Sequence, residues 1–216
     1  MRNTVKIEDD GSIAVSSVFE VGGAMAHSMR HSFAQMRKAP DFQRGERIFK
    51  QSFERSGYRS TGFYARMDDT AVVSDRFSFE VNYRIAEYLD TGNPYGIKLD
   101  AYYPSPAPIA ELAAFAVVDD YPYDFLRSGD RRTEEMQMSF PSSVKLLAVP
   151  HDVELVQPDI AYSAHYEQHD NELRVVRSVT DNSPGPICSA KVVAQYRAVA
   201  AVITKDMQVQ AVYQPR

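Results

Sequence analysis

Tryptophan is absent from this chain of 216 residues, and cysteine occurs once, at Cys188. A lone cysteine forms no internal disulfide, so the fold must be held by packing and hydrogen bonds. There is no polybasic run and the formal net charge is −5, which argues against nucleic acid or an anionic membrane surface as partner. No apolar stretch reaches the roughly 20 residues that a membrane-crossing helix needs. The longest, Val192 to Ile203, is interrupted by Gln195 and Arg197. The opening residues Met1-Arg2-Asn3-Thr4-Val5-Lys6 lack the apolar core of a signal peptide. They run almost at once into a strand pattern, and the natural protein is expected to continue upstream of Met1. A phosphate loop is missing too. Gly22-Gly23 stands between a strand and a helix, without the further glycines or Lys-Ser/Thr that a nucleotide site requires.

What is present is alternation. Apolar residues make up 44% of the chain, ordinary for a globular protein. Val5 and Ile7, a turn at Asp9-Asp10-Gly11, and Ile13, Val15, Ser17, Phe19 and Val21 read as a hairpin. Phe77, Phe79, Val81, Tyr83 and Ile85 alternate with Ser78, Glu80, Asn82 and Arg84, giving one buried and one wet face and pointing to an antiparallel sheet. Met136, Met138 and Phe140 repeat the pattern, as do Ile160, Tyr162, Ala164 and Tyr166. Met207, Val209, Ala211 and Tyr213 do so at the C-terminal end, predicting a closing strand within the main sheet.

Helices are fewer. Met25, Met29, Phe33 and Met36 predict one stripe, and Phe42, Phe49 and Phe53 a second helix between Asp41 and Gly57. A short helix is expected near Ile109 to Ala116. The longest predicted helix runs from about Ser189 to Lys205, with Val192, Val193, Tyr196, Val199, Ala200 and Ile203 inward. Strands cluster without βαβ alternation, so the class is α+β, a mainly antiparallel β-sheet or sandwich with a few packed helices. Residues 1–216 read as a single β-rich domain with a weak seam near 121–132, where charge and Gly129 interrupt the pattern.

The candidate chemistry thins out under inspection. Cys188 precedes a helix whose dipole could lower a thiol pKa, but no positioned base accompanies it, and a packed small residue is the better reading. His27 and His31 have the four-residue spacing of a zinc pair. However, Ser28, Met29 and Arg30 intervene where a zinc peptidase would carry its glutamate. His165 and His169 belong to a hairpin. Of the acidic pairs Asp9-Asp10, Asp68-Asp69, Asp119-Asp120 and Glu134-Glu135, most fall in turns or at strand ends, where solvent keeps both members ionised. No catalytic residue, metal ligand or cofactor is assigned. Thirteen tyrosines and eleven phenylalanines mostly match the buried register. Tyr102, Tyr103, Tyr121 and Tyr123 match no period, which makes them the candidate surface contact.

The order of these elements resembles the C-terminal region of bacterial proteins that join a transglutaminase-like core to flanking domains of unknown function. The likeness rests on the hairpin with Asp10-Gly11, Gly22-Gly23-Ala24 and the Arg30 helix. It continues through Ser139-Phe140-Pro141 to Val144-Lys145-Leu146-Leu147-Ala148-Val149-Pro150 and then Val153-Glu154-Leu155-Val156-Gln157-Pro158. It closes on Glu172-Leu173-Arg174-Val175-Val176-Arg177, Pro186, Tyr196-Arg197 and the last strand. Val156-Gln157-Pro158 departs from the family's second leucine-proline. The resemblance implies an exported, periplasmic or envelope-associated bacterial protein with a Cys-His-Asp core upstream, and none of that core's motifs is in this chain. The implied role is a non-catalytic structural or binding accessory domain, with the adjacent transglutaminase-like domain as partner. A stand-alone hydrolase with a dispersed active site and a carbohydrate-binding β-sandwich with a glycan ligand are the alternatives.

Overall fold

A computed structural model describes residues 1–38, 57, 59–99, 108–117, 123–126, 129–183, 185 and 187–216. The helix predicted for 41–57, except Gly57, lies outside these residues, as do Tyr102, Tyr103 and Tyr121.

The strands form where the alternation is strict. β1 (Arg2–Ile7) and β2 (Ile13–Gly22) make the opening hairpin, with Val5 opposite Val15 and Ile7 opposite Ile13. Its turn is specified by glycine. Gly11 has a φ of +74°, and a Cβ there would sit 2.0 Å from the Leu89 carbonyl oxygen, so both backbone angle and close approach exclude a side chain. Asp10 fixes the same turn, its Oδ1 accepting the Ser12 N–H at 2.9 Å. After α1 (Gly23–Lys38) come β3 (Arg59–Met67), β4 (Arg76–Ala86), β5 (Tyr95–Lys98), a 3-10 helix (Ala110–Val117) and β6 (Phe125–Leu126). The remainder comprises β7 (Asp130–Ser139), β8 (Val144–Ala148), β9 (Val153–Val156), β10 (Ile160–His169), β11 (Glu172–Asp181), β12 (Ile187–Cys188), α2 (Ala190–Asp206) and β13 (Gln210–Pro215).

Eight strands build one sheet in the order β3-β4-β2-β1-β7-β11-β10-β9. Every neighbouring pair is antiparallel except β1 and β7, which run parallel. The sheet is thus two antiparallel blocks joined along a parallel seam, and the α+β class read from the sequence holds. One face is apolar from block to block. The register lines up Tyr83, Val15, Val5, Met138 and Leu173 across five strands, and all are buried. α1 covers the β2–β4 end of that face, where Phe33 packs against Phe77 and Phe79 with ring centroids 5.6 and 4.9 Å apart. α2 packs on the 3-10 helix and β10. A three-stranded sheet, β5-β13-β8, contributes Ile97, Ala211, Tyr213, Val144 and Leu146 to the same core.

Two expectations are corrected. In α1 the inward positions are Ala26, Arg30 and Phe33, while Met25 is 51% exposed and Met29 and Met36 are only partly buried. The helix is turned by Arg30, whose guanidinium donates to the carbonyls of Ser74 at 3.0 Å and Arg76 at 2.6 Å and lies 5.3 Å over the Phe77 ring. At the other end, Met207 continues the helix as its cap, its N–H donating to Ile203 O at 2.8 Å. The closing strand therefore starts only at Gln210, and it is the middle of the small sheet, not a member of the large one.

That central position sets the first test. A chain ended at Met207 loses the pairing partner of both β5 and β8 and the buried ring of Tyr213. With about 1.5–3 kcal/mol per large side chain removed from burial, the loss is expected to consume most of a margin of about 5–15 kcal/mol. Thermal melting of the shortened chain beside the full one checks this. A soluble product melting within about 3 °C of the parent would show that β13 does not close the core.

Candidate functional site

The densest cluster of polar groups lies under α2. Asp206 is the last residue of that helix and is 2% exposed. A carboxylate at a helix C-terminus faces the negative end of the dipole, and burial adds a desolvation cost. Three donors answer both penalties. Asp206 Oδ2 accepts from Tyr162 Oη at 2.6 Å and from Arg177 Nε at 2.7 Å, and Oδ1 accepts from Tyr166 Oη at 2.6 Å. Strand period delivers these partners. Tyr162 and Tyr166 stand on the same face of β10, and Arg177 of β11 sits opposite Ala164, the small residue between them. Arg177 also donates through Nη1 to Leu99 O at 2.7 Å and through Nη2 to Tyr166 Oη at 3.2 Å. Burial pushes the Tyr162 phenol well above its ordinary range, and donation to Asp206 pushes it further. Burial raises Tyr166 as well, against the pull of Arg177. Both phenols stay neutral donors, and the cluster ties a helix end to two strands and the Leu99 segment.

A second buried acid stands beside it. Glu134 of β7 is directly opposite Arg177 in the register and is 4% exposed. Its Oε1 accepts the Ile109 N–H at 2.7 Å, fixing the entry to the 3-10 helix. Arg132 holds the preceding residue, donating through Nη1 to Pro108 O at 2.5 Å. Burial pushes the Glu134 carboxyl up, against the Ile109 hydrogen bond and the Arg177 charge. The expectation that solvent keeps both members of Glu134-Glu135 ionised is thus corrected for Glu134, which belongs to the inner face of β7. A third cluster pins α2 from its middle. Tyr196 Oη donates to Asp181 Oδ2 at 2.6 Å and lies 2.8 Å from Ser183 Oγ.

The residues singled out from the sequence lie apart from these clusters. Cys188 is buried on β12, whose backbone pairs with β6. His27 and His31 are on the exposed side of α1. His165 Nδ1 is 3.1 Å from Asp152 Oδ2 with both side chains exposed, and His169 lies exposed at the end of the β10–β11 hairpin. Tyr123, the one described member of the tyrosine set, is 71% exposed. Among the described residues no three His, Cys, Asp or Glu side chains are grouped to hold a metal ion, and no helix is long and apolar enough to cross a membrane. Sequence reasoning missed Asp206, Arg177 and Glu134. The signal was a charge in phase with a buried stripe: Arg177 between Val175 and Val179, Glu134 before Met136, Asp206 after Ile203.

Fold and clusters define an α+β protein whose buried charges bind its elements together. The chain matches no protein-family model, no curated protein and no solved structure.

Two outcomes follow from the clusters. Asp206→Leu leaves the Arg177 guanidinium and two phenols buried without their acceptor, and breaking such a pair costs about 3–5 kcal/mol. Denaturant unfolding measures it, and a loss below about 1 kcal/mol would contradict the role given to Asp206. For Glu134 the sign follows from linkage. Its folded-state pKa lies above the unfolded value, so its contribution is fully present below that value, about 4.3. It is lost as pH rises through the folded value. Glu134→Gln cannot ionise. Its melting temperature relative to wild type is expected to rise from about pH 4 to about pH 8, and a flat difference would show that Glu134 does not titrate in the fold.

Proposed function

We propose that this chain is a non-catalytic structural or binding accessory domain of a bacterial, envelope-located transglutaminase-like protein, working beside the catalytic domain as a scaffold. The observation that carries the reading is where the acids and their donors are spent. Asp206 takes hydrogen bonds from Tyr162, Tyr166 and Arg177, and Glu134 and Asp181 each hold a neighbouring segment in place. A catalytic acid or base needs its proton-exchanging atom within reach of a substrate, whereas the bonded oxygens of these acids are turned to backbone, phenol and guanidinium. The large sheet supports the same reading, since among the described residues its helices and small sheet gather on one face while polar side chains such as Arg2, Glu20 and Arg174 stand exposed on the other. Such a face suits a domain that presents a surface to a neighbour.

The test uses the whole chain. With peptide, amide and glutamine-donor substrates, turnover is expected at the blank rate, and the reading frame upstream of Met1 is expected to encode a Cys-His-Asp core. Turnover by the isolated chain that disappears in Cys188→Ala would overturn the proposal in favour of a stand-alone hydrolase. The exposed ring of Tyr123 favours one further reading, a glycan-stacking contact. Saturable binding on a glycan array, lost in Tyr123→Ala, would move the assignment there.

A further inference from the structure

The two oxygens of the Glu134 carboxyl have different surroundings. Oε1 holds the Ile109 N–H, while Oε2 is buried and has no hydrogen-bond partner among the described residues. Beside it lies a cavity of about 10 Å³, lined by Asn3, Glu134, Glu135, Met136, Val175 and Arg177. A space of that size is just large enough for one water molecule, provided polar groups converge on it. Here they do. Asn3, which lines the cavity, is 3% exposed and commits its side-chain oxygen to the Ser17 hydroxyl at 2.7 Å, so its NH2 group is the donor it can offer there. Arg177 uses one N–H at each nitrogen on Asp206, Leu99 and Tyr166 and retains others on its two Nη atoms. The register brings the three together, with Asn3 opposite Met136 and Glu134 opposite Arg177.

We propose that this cavity is a built site for a single water molecule, bridging Glu134 Oε2 to the Asn3 amide and the Arg177 guanidinium across β1, β7 and β11. The chemistry favours water over other small occupants. A metal ion would need several oxygen ligands and would sit against the Arg177 cation. A proton on Glu134 alone would create a buried O–H that still lacks an acceptor. Water answers both states of the carboxyl, donating to it when ionised and accepting from it when neutral, while accepting from Asn3 or Arg177 throughout. It would also explain how Asn3 and Glu134 on the parallel seam of β1 and β7, with Arg177 on the neighbouring β11, are tolerated within a mostly apolar face. The site stands independently of the role proposed for the chain.

The experiment is an atomic-resolution crystal structure of the full wild-type chain beside Glu134→Leu. One density peak is expected in wild type within about 2.6–3.2 Å of Glu134 Oε2 and of Asn3 Nδ2 or an Arg177 Nη atom, and it is expected to be lost in the variant. A dry wild-type cavity, an Oε2 rotated onto a protein donor, or a peak that persists in Glu134→Leu would each overturn the proposal. Should that variant fail to fold, the solution measurement decides. Water-to-amide cross-relaxation at the Asn3 side chain in wild type is expected to show a long-lived water. A signal no stronger than at exposed side-chain amides would overturn the site.

Discussion

The buried pair of Asp206 and Arg177, 2.7 Å apart with side chains 1% and 3% exposed, is the contact on which the second half of the molecule depends. A pair so deeply buried contributes little net stability when set against an apolar replacement, because desolvation offsets attraction. Its effect is geometric. Asp206 accepts at two oxygens from donors on β10 and β11, so the end of α2 has one place to sit. Arg177, held at Nε, reaches onward to the Leu99 carbonyl, just after β5, which pairs with β13. One ion pair thereby locates the helix, two strands of the large sheet and an edge of the small one. Tyr196 repeats the device one layer along, binding the middle of α2 to Asp181 at the end of β11. Two polar anchors on one helix fix both its position and its rotation, which hydrophobic burial alone specifies loosely.

The parallel seam shows what joins the halves. β1 belongs to a hairpin at the chain's start and β7 follows more than a hundred residues later, so their pairing is among the most costly in loop entropy. It is offset by two fully buried residues, Val5 and Met138, set side by side in the register. The same seam carries Asn3 and Glu134 at its other end, where burial would be penalised were these groups not bonded to Ser17 and Ile109. Apolar packing at one end and polar bonding at the other constrain the register together. A slip of β1 by one residue would turn Val5 to solvent and bury Thr4 beside Met138 in its place.

How much of this was legible depended on period. Phe77 to Ile85, Ile160 to Tyr166 and the hairpin at Asp10-Gly11 carry both alternation and turn chemistry, and each formed where the pattern put it. The α2 stripe from Val192 to Ile203 was equally clear, because its apolar residues recur at helical spacing without a polar intruder. The errors share a cause. The α1 stripe follows Met25, Met29, Phe33 and Met36 in the sequence, yet of these only Phe33 is fully inside; Arg30 is drawn inward, since two backbone carbonyls and an aromatic face reward a guanidinium more than a thioether. Met207 and Val209 alternate like a strand, yet Asp206 needs helical geometry at its own position, and the turn follows from that. Buried charges were passed over because composition treats Glu and Arg as surface residues. Only the long-range register places Arg177 and Glu134 opposite each other on the inner face.

The face of the large sheet opposite the core is polar among the described residues. Its exposed side chains are arranged in opposite-charge contacts between neighbouring strands: Arg2 with Glu20 at 2.8 Å, and Arg174 with Glu135 at 2.7 Å and Glu167 at 3.4 Å. Each is worth little on the surface, about 0–1 kcal/mol, so they do not hold the sheet together. What they do is keep that face hydrated and disfavour a second sheet stacking on it, because stacking would desolvate several ions at once. The edges are treated separately. β9 has only four residues and is flanked by Pro150 and Pro158, which offer no N–H for pairing. β3 carries a register shift between Tyr64 and Arg66, a bulge that breaks the regular ladder another strand would need. A sheet whose edges are so interrupted resists pairing with a further strand, while its paired charges resist the stacking of another sheet.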